Sequence, residues 1–226
     1  MSSNSNGIFI TGTDTGVGKT YIACQLAKQL IDEGFTVIPR KPVESGCDLS
    51  KPKPVIADAQ ALKQACNYPQ SLSTVCPYPL QAAISPAEAA RLENKTIKLN
   101  QLLEASKIQP VDDSTDKKVI RLIEGAGGFY SPLCEDGLNA DLAQQLNLPV
   151  VLVASDKLGC INHILLSIEA IKSRNLRIIA IVLNQIEPDS PPMNNNKELS
   201  KLITEPIILA NQSKPAIFPP EVLITL

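Results

Sequence analysis

The chain has no tryptophan, and aromatic residues make up only 4% of its 226 positions. Proteins that bind single-stranded nucleic acid by stacking bases need more rings than that. Net charge is −2, which argues against a duplex-binding protein that depends on phosphate neutralisation. Histidine occurs once, at position 163. Two-histidine zinc sites and the facial iron triad therefore cannot be built from one chain. A serine–histidine–aspartate triad would have to use His163 and nothing else. The six cysteines (Cys24, Cys47, Cys66, Cys76, Cys134 and Cys160) include no C-x-x-C pair, which removes the usual zinc ribbons and thioredoxin-like motifs. No apolar stretch of signal-peptide type follows Met1, and runs such as 149–154 and 178–183 are strand-sized, far too short for a bilayer. Scattered thiols without a targeting segment suit a reducing cytoplasm. Neither nucleic acid nor membrane is an expected partner.

What is present reads as globular: 44% hydrophobic and 19% charged residues. The length fits one α/β domain over 1–226 that buries enough apolar surface to fold without a disulfide or metal. A β-rich run at 7–11 is followed by a Gly/Thr loop and a helical stretch from Lys19 to about Glu33, with Gly34 placed to end it. Residues 35–38 read as a second strand, 44–53 as a polar loop, 58–65 as a helix. Ser85 and Pro86 have the N-cap and N1 pattern of a helix running to Glu93, and 98–107 has helical spacing. Strands are expected at 118–123, 149–154 and 177–183, helices at 138–146 and 161–174. A polar loop at 187–196, a last helix, a short strand at 206–209 and an irregular tail complete the chain. Strands alternating with helices imply βαβ units and a parallel sheet. Ligands of such sheets sit beyond the carboxyl ends of the strands.

The residues after the first strand are Gly12-Thr-Asp-Thr-Gly-Val-Gly-Lys-Thr20. Glycines let a backbone curl so that its N–H groups face phosphate oxygens, and the helix that follows adds its dipole. Lys19 is placed for the β/γ-phosphates and Thr20 for Mg²⁺. The strict pattern G-x-x-x-x-G-K-[ST] is not met, because five residues separate Gly12 from Gly18 and Thr13 occupies the first-glycine position. The final G-K-T between a strand and a helix still marks a P-loop NTPase-type three-layer α/β/α fold with a mainly parallel sheet. A magnesium nucleotide needs further oxygen ligands. Glu124, at the end of its strand and trailed by Gly-Ala-Gly-Gly, is one candidate; an exposed strand-end glutamate is the alternative. Asp58 opens a helix, where local sequence favours a charge complementing the helix dipole. Lys41, held extended by Pro42, is either an anion clamp or a solvated lysine.

Four segments together resemble the dethiobiotin synthetase family. They are Gly12-Thr-Asp-Thr-Gly-Val-Gly-Lys-Thr20, Lys41-Pro-Val-Glu-Ser-Gly46 (the family's K-P-V-x-S-G), Glu124-Gly-Ala-Gly-Gly128 and Lys157-Leu-Gly-Cys-Ile-Asn-His163. They fall in the family's order and cover roughly residues 7–184. The resemblance implies an ATP- and Mg²⁺-dependent ligase of biotin biosynthesis. In that reaction an amine of 7,8-diaminononanoate captures CO₂ as a carbamate, ATP phosphorylates the carbamate, and the second amine closes a cyclic urea. It implies Thr15, Lys41 and Ser45 at the carbamate and substrate, Lys19 on the phosphates, and Thr20, Asp58 and Glu124 on Mg²⁺. Lys19, Lys41 and Thr15 are the implied catalytic residues. Gly16, Val17, Gly18, Tyr21, Gly125, Ala126, Gly127, Asn184 and Gln185 complete the nucleotide contacts, with Asn184 at the adenine. The backbone N–H groups of Gly159, Cys160, Ile161 and Asn162 would receive the substrate carboxylate across a two-fold homodimer. Cys160 also reads as a small core residue, and His163 as packing or a surface hydrogen bond.

The chain departs from the family in three places. Ala87 follows Ser85-Pro86 where the family often has His, the variable loop position is Gly16, and the tail 210–226 lacks G-x-[IL]-P. Three rival readings compete with this resemblance. A partitioning or septum-site ATPase switch carries a lysine just after the first glycine of its loop, where this chain has Thr13. The synthetase domain of a cobyrinic-type amidotransferase would need an appended glutaminase. A catalytically impaired synthetase relative is the third.

Overall fold

The structure is a computed structural model that describes residues 7–107, 118–186, 194–211 and 213–224. In chain order the elements are β1 (Gly7–Gly12), α1 (Lys19–Asp32), β2 (Thr36–Arg40), β3 (Val43–Glu44), α2 (Ala57–Ala65), α3 (Leu72–Val75), β4 (Tyr78–Pro79), α4 (Pro86–Leu92) and α5 (Leu99–Ala105). They continue with β5 (Val119–Gly128), β6 (Pro132–Cys134), β7 (Gly137–Leu138), α6 (Asn139–Leu146), β8 (Val150–Ser155), α7 (Cys160–Ser173), β9 (Ile178–Gln185), α8 (Asn195–Leu199), β10 (Ile207–Asn211) and α9 (Pro220–Ile224). Six strands form one sheet in the order β10-β9-β8-β1-β5-β2, and every pairing in it is parallel. Two short two-stranded ribbons, β3-β4 and β6-β7, stand beside it.

The strands are buried on both faces, so their sequences are near-continuous apolar runs. Alternation still decides which layer each side chain joins. Ile8 and Ile10 of β1, Ile120 and Leu122 of β5, and Val151 and Val153 of β8 pack with α1 and α9. Phe9, Ile123, Leu152 and Leu183 pack on the opposite face with α4, α5, α6 and α7. Helix α1 buries Ile22, Ala23, Leu26, Ala27 and Leu30, a stripe at the helical period. It ends at Asp32 with Glu33 as C-cap, and Gly34, with φ 87°, donates to the Ile31 carbonyl at 2.9 Å. The three-layer parallel architecture expected from the strand–helix alternation is the one observed.

Four details differ from the expectations. Strand β5 continues through Glu124-Gly-Ala-Gly-Gly128 where a loop was expected, because pairing with β1 persists from Ile10↔Glu124 to Gly12↔Gly128 across an irregularity. Ser85 occupies the N-cap position of α4 but makes no side-chain cap hydrogen bond. Residues 187–193 of the polar loop lie outside the described residues, and 194–196 begin α8. The tail is not irregular: α9 forms in it, and two glutamines of α1 hold the segment before it. Gln25 Oε1 accepts from the Ala216 amide at 2.6 Å, Gln29 Oε1 accepts from the Phe218 amide at 2.9 Å, and Gln29 Nε2 donates to the Ala216 carbonyl at 2.5 Å.

Candidate functional site

A cleft of about 530 Å³ opens at the carboxyl ends of β1, β2 and β5. Its walls include Thr15, Gly16, Gly18, Lys19, Thr20, Lys41, Glu44, Ser45, Asp58, Glu124, Ala126, Gly127 and Ser131. Most of the residues that the sequence proposes for phosphate, carbamate and metal therefore meet in one place.

The loop between β1 and α1 is tied down at both ends. The Thr13 amide donates to the Val153 carbonyl at 2.9 Å, and Val17 is buried beneath the loop. Gly18, at φ 88°, caps α1 without any side-chain hydrogen bond. The first-turn N–H groups of α1 thus face the cleft as an anion site. A Cβ at Gly18 would lie 2.2 Å from Asn184 Nδ2 on a left-handed backbone, so a larger residue would have to displace that side chain and strain the loop. Asn184 itself is buried at the end of β9 and donates to the Val17 carbonyl at 3.1 Å. Lys19 reaches back over the loop to the Asp14 carbonyl at 2.9 Å. Burial and the neighbouring Lys41 cation pull its ammonium down to about 8.

Lys41 is the centre of the charged cluster. Its Nζ lies 2.5 Å from Glu124 Oε1, 3.1 Å from Asp58 Oδ2 and 3.0 Å from the Gly125 carbonyl. Burial alone would lower its basicity, but the Glu124 and Asp58 carboxylates outweigh that and hold it above the ordinary lysine range. Thr20 donates its hydroxyl to Glu124 Oε1 at 2.8 Å. Burial pushes the Asp58 carboxyl up, while Lys41 and Thr20 outweigh it and leave it below the usual carboxylate range. The readings of Lys41 as a solvated side chain and of Glu124 as an exposed strand end both fail: the two are 2% and 1% exposed.

The donor set fits magnesium. Thr20, Asp58 and Glu124 offer only oxygen, the chemistry Mg²⁺ prefers. Glu124 Oε2 is buried without a hydrogen-bond partner among the described residues. Among those residues no group of three or more His, Cys, Asp or Glu side chains forms a complete metal cage. An ion held by two carboxylates and a hydroxyl keeps positions for phosphate oxygens and water, as Mg²⁺ sites usually do. The nucleotide fits as well, since the glycine loop and helix N-terminus supply N–H donors and Lys19 a cation.

Several proposed residues lie away from the cleft wall. Gly125 contributes its carbonyl to Lys41, and its Cβ position is filled by Asn139 Oδ1, which would be 2.3 Å away. Tyr21 is on the outer side of α1, donating to the Asn211 carbonyl at 3.0 Å, and Gln185 is half-buried at the end of β9. Gly159, Cys160, Ile161 and Asn162 begin α7 outside the cleft. Cys160 is 2% exposed and packs in the main apolar cluster, and its amide donates to the Lys157 carbonyl at 3.1 Å. His163 is exposed. In a neighbouring groove it sits with Thr13, Asp14, Phe129 and Tyr130. The wall also holds residues that were not foreseen, Ser131 and Glu44 among them. Ser131 accepts from the Gly128 amide at 2.8 Å through its hydroxyl, and Glu44 binds the start of α2. Glu44 stands at the position the K-P-V-x-S-G pattern leaves open, so no motif signals it.

Comparison with known proteins gives concordant results. A family model described as an AAA domain matches residues 6–218. An ATP-dependent dethiobiotin synthetase BioD from Anaeromyxobacter dehalogenans is 38% identical over 206 residues, 90% of this chain and 88% of that protein. One from Vesicomyosocius okutanii is 40% identical over 207 residues, 92% of this chain and 90% of its own. Another, from Halalkalibacterium halodurans, is 38% identical over 203 residues, 88% and 81% of the two chains. Among solved structures, the septum site-determining protein MinD of Pyrococcus horikoshii complexed with Mg-ADP superposes with a TM-score of 0.52 at 17% identity, covering 98% of this chain and 86% of its own. That likeness is one of fold.

Proposed function

The chain belongs to the ATP-dependent dethiobiotin synthetase family, and from that premise we propose how its residues carry the reaction. The substrates are 7,8-diaminononanoate, CO₂ and ATP, and the products are dethiobiotin, ADP and phosphate. One amine of the diamino acid adds to CO₂ and loses a proton, giving a carbamate. A carbamate oxygen takes the γ-phosphoryl group from ATP. The second amine attacks the carbamoyl carbon, phosphate leaves, and the cyclic urea is closed.

The physical obstacle is that an anion must approach the terminal phosphate, also an anion. Lys19 and Lys41 line the cleft in which they meet, and two cations fixed there offset the repulsion. The charge that develops in phosphoryl transfer is stabilised by groups already in place. Glu124, Asp58 and the Gly125 carbonyl hold the Lys41 ammonium at the cleft. Thr15 and Ser45, at the cleft wall, hydrogen-bond the carbamate and the amine end of the substrate. Thr20, Asp58 and Glu124 would hold Mg²⁺, which when bound supplies charge neutralisation at the phosphate oxygens. Gly16, Gly18, Lys19, Thr20, Ala126 and Gly127, at the cleft wall, flank the phosphates. Asn184, held against the phosphate loop, and Gln185 lie at the adenine end. With positioning carrying most of the barrier, no histidine base is required.

The start of α7 lies outside its own chain's cleft, which supports a homodimer in which residues 159–162 receive the substrate carboxylate of the other subunit. Leu158 and Leu166 beside it are 88% and 58% exposed, as an interface needs. No helix among the described residues is long and apolar enough to cross a membrane; a cytoplasmic enzyme acting on small molecules is the reading proposed. The lysine that marks a partitioning or septum-site switch is replaced by Thr13, so the likeness to MinD is not extended to its role.

The observation that carries the reading is the Lys41 ammonium held between Glu124 and Asp58 in the cleft that also holds the phosphate loop. ADP release is the test. It should require both diaminononanoate and bicarbonate, omitted one at a time. Release that is equally fast without the diamino acid would make the chain an ATPase of another kind.

A further inference from the structure

Position 44 carries a carboxylate for which the reaction has no evident use. Glu44 ends the short strand β3, whose backbone is fixed by the Leu80 amide donating to the Glu44 carbonyl at 2.8 Å. The residue is 5% exposed. Such burial of an acid needs compensation by donors. The donors are found at the N-terminus of α2: Glu44 Oε1 accepts from the Asp58 amide at 3.0 Å, and Oε2 accepts from the Ala59 amide at 2.9 Å. Asp58 and Ala59 are the second and third residues of α2. Their N–H groups are the ones an N-cap side chain ordinarily takes. The N-cap residue here is Ile56, which has no such side chain. Glu44 therefore caps α2 from another element, with both oxygens engaged in charge-assisted bonds.

Asp58 is thus gripped at two points. Its amide is held by Glu44 and its carboxylate by Lys41 at 3.1 Å. The Asp58 side chain is 42% exposed toward the cleft, so neighbouring packing does little to fix its direction. We infer that Glu44 is a positioning residue for the metal-binding carboxylate of Asp58, setting the divalent-cation affinity of the site by clamping the first turn of α2. The inference rests on the proposed role of Asp58 as a ligand. It adds a residue at a position that the family pattern leaves variable.

Mn²⁺ binding, followed by electron paramagnetic resonance in the presence of ADP, tests this on wild type, Glu44→Ala, Glu44→Gln and Asp58→Ala. Loss of a group that orients a ligand typically weakens metal binding by about tenfold or more. Glu44→Ala should show that loss, and Glu44→Gln, which retains one acceptor oxygen, a smaller one. In activity assays the Mg²⁺ concentration for half-maximal rate should rise by the same factor. kcat at saturating Mg²⁺ and KM for diaminononanoate should stay within about twofold, a split that general loosening of the fold would not produce. Wild-type Mn²⁺ affinity in Glu44→Ala, alongside a tenfold loss in Asp58→Ala, overturns the inference alone. Wild-type affinity in Asp58→Ala overturns the ligand reading and the inference with it. If Glu44→Ala does not fold, Glu44→Gln decides the matter, and affinity equal to wild type contradicts the role.

Discussion

The ammonium of Lys41 is a buried charge whose two carboxylate partners are themselves part of the machinery. Removing one side of a buried ion pair leaves the other uncompensated, at a cost of roughly 3–5 kcal/mol. Lys41→Ala is therefore expected to lower the melting temperature as well as kcat/KM, the latter by at least about tenfold, or roughly 1.4 kcal/mol of transition-state stabilisation. Adding Glu124→Gln to it should return much of the lost stability, because the Glu124 side chain then carries no charge, and none of the activity. Thermal melts and initial rates on the single and double variants check both statements. Gly18→Ala belongs to the same scale. The backbone there is left-handed, and the new methyl would meet Asn184, so loss of nucleotide binding should accompany a fall in stability. Binding of a fluorescent ATP analogue together with a melt measures both. Lys19 and Thr20 were legible from the G-K-T run that opens α1, and Lys41, directly after β2, and Glu124, in the last half of β5, from the carboxyl ends of strands where ligands of parallel sheets collect. Asp58 was ambiguous from local sequence, since the same residue serves a helix dipole; its 3.1 Å contact with Lys41 places it in the charged cluster of the cleft. Glu44 was not legible: its partners are 14 and 15 residues away, and no spacing rule links a strand-end acid to a later helix.

Among the elements, strands and helices were read to within a few residues where apolar periodicity was strong. The stripe of α1 and the runs of β8 and β9 are examples. The reading failed where pairing overrode composition. Glycines at 125, 127 and 128 suggested a loop, yet the parallel register with β1 carries the strand through them. It failed again in the tail, whose order comes from Gln25 and Gln29 on a helix some 190 residues earlier. Each of those hydrogen bonds is worth about 1 kcal/mol net. Gln29→Ala removes two of the three clamps. It should lower global stability by roughly 1–2 kcal/mol and speed hydrogen exchange at the Ala216 and Phe218 amides. Protection at those amides equal to wild type would show that the tail is held by its apolar contacts alone. Within the sheet, Leu122→Ala empties a fully buried position between β1 and β2. A cost of about 2–5 kcal/mol is expected in denaturant unfolding.

At the level of the whole molecule, the sheet order places β1 between β8 and β5, so residues following β1, β2 and β5 converge on one cleft while those following β8 emerge elsewhere. That separation is why residues 157–163, as clear in the sequence as the phosphate loop, do not join the cleft of their own chain. Light scattering should find a dimer, and a stable monomer with full activity would contradict a carboxylate pocket shared between subunits. A crystal structure with Mg²⁺, a non-hydrolysable ATP analogue and diaminononanoate under bicarbonate tests the central claim most directly. Both the Lys19 and Lys41 nitrogens should then lie within hydrogen-bonding reach, about 2.7–3.2 Å, of the γ-phosphate or the carbamate. A terminal phosphate bound with neither nitrogen in reach would contradict the account.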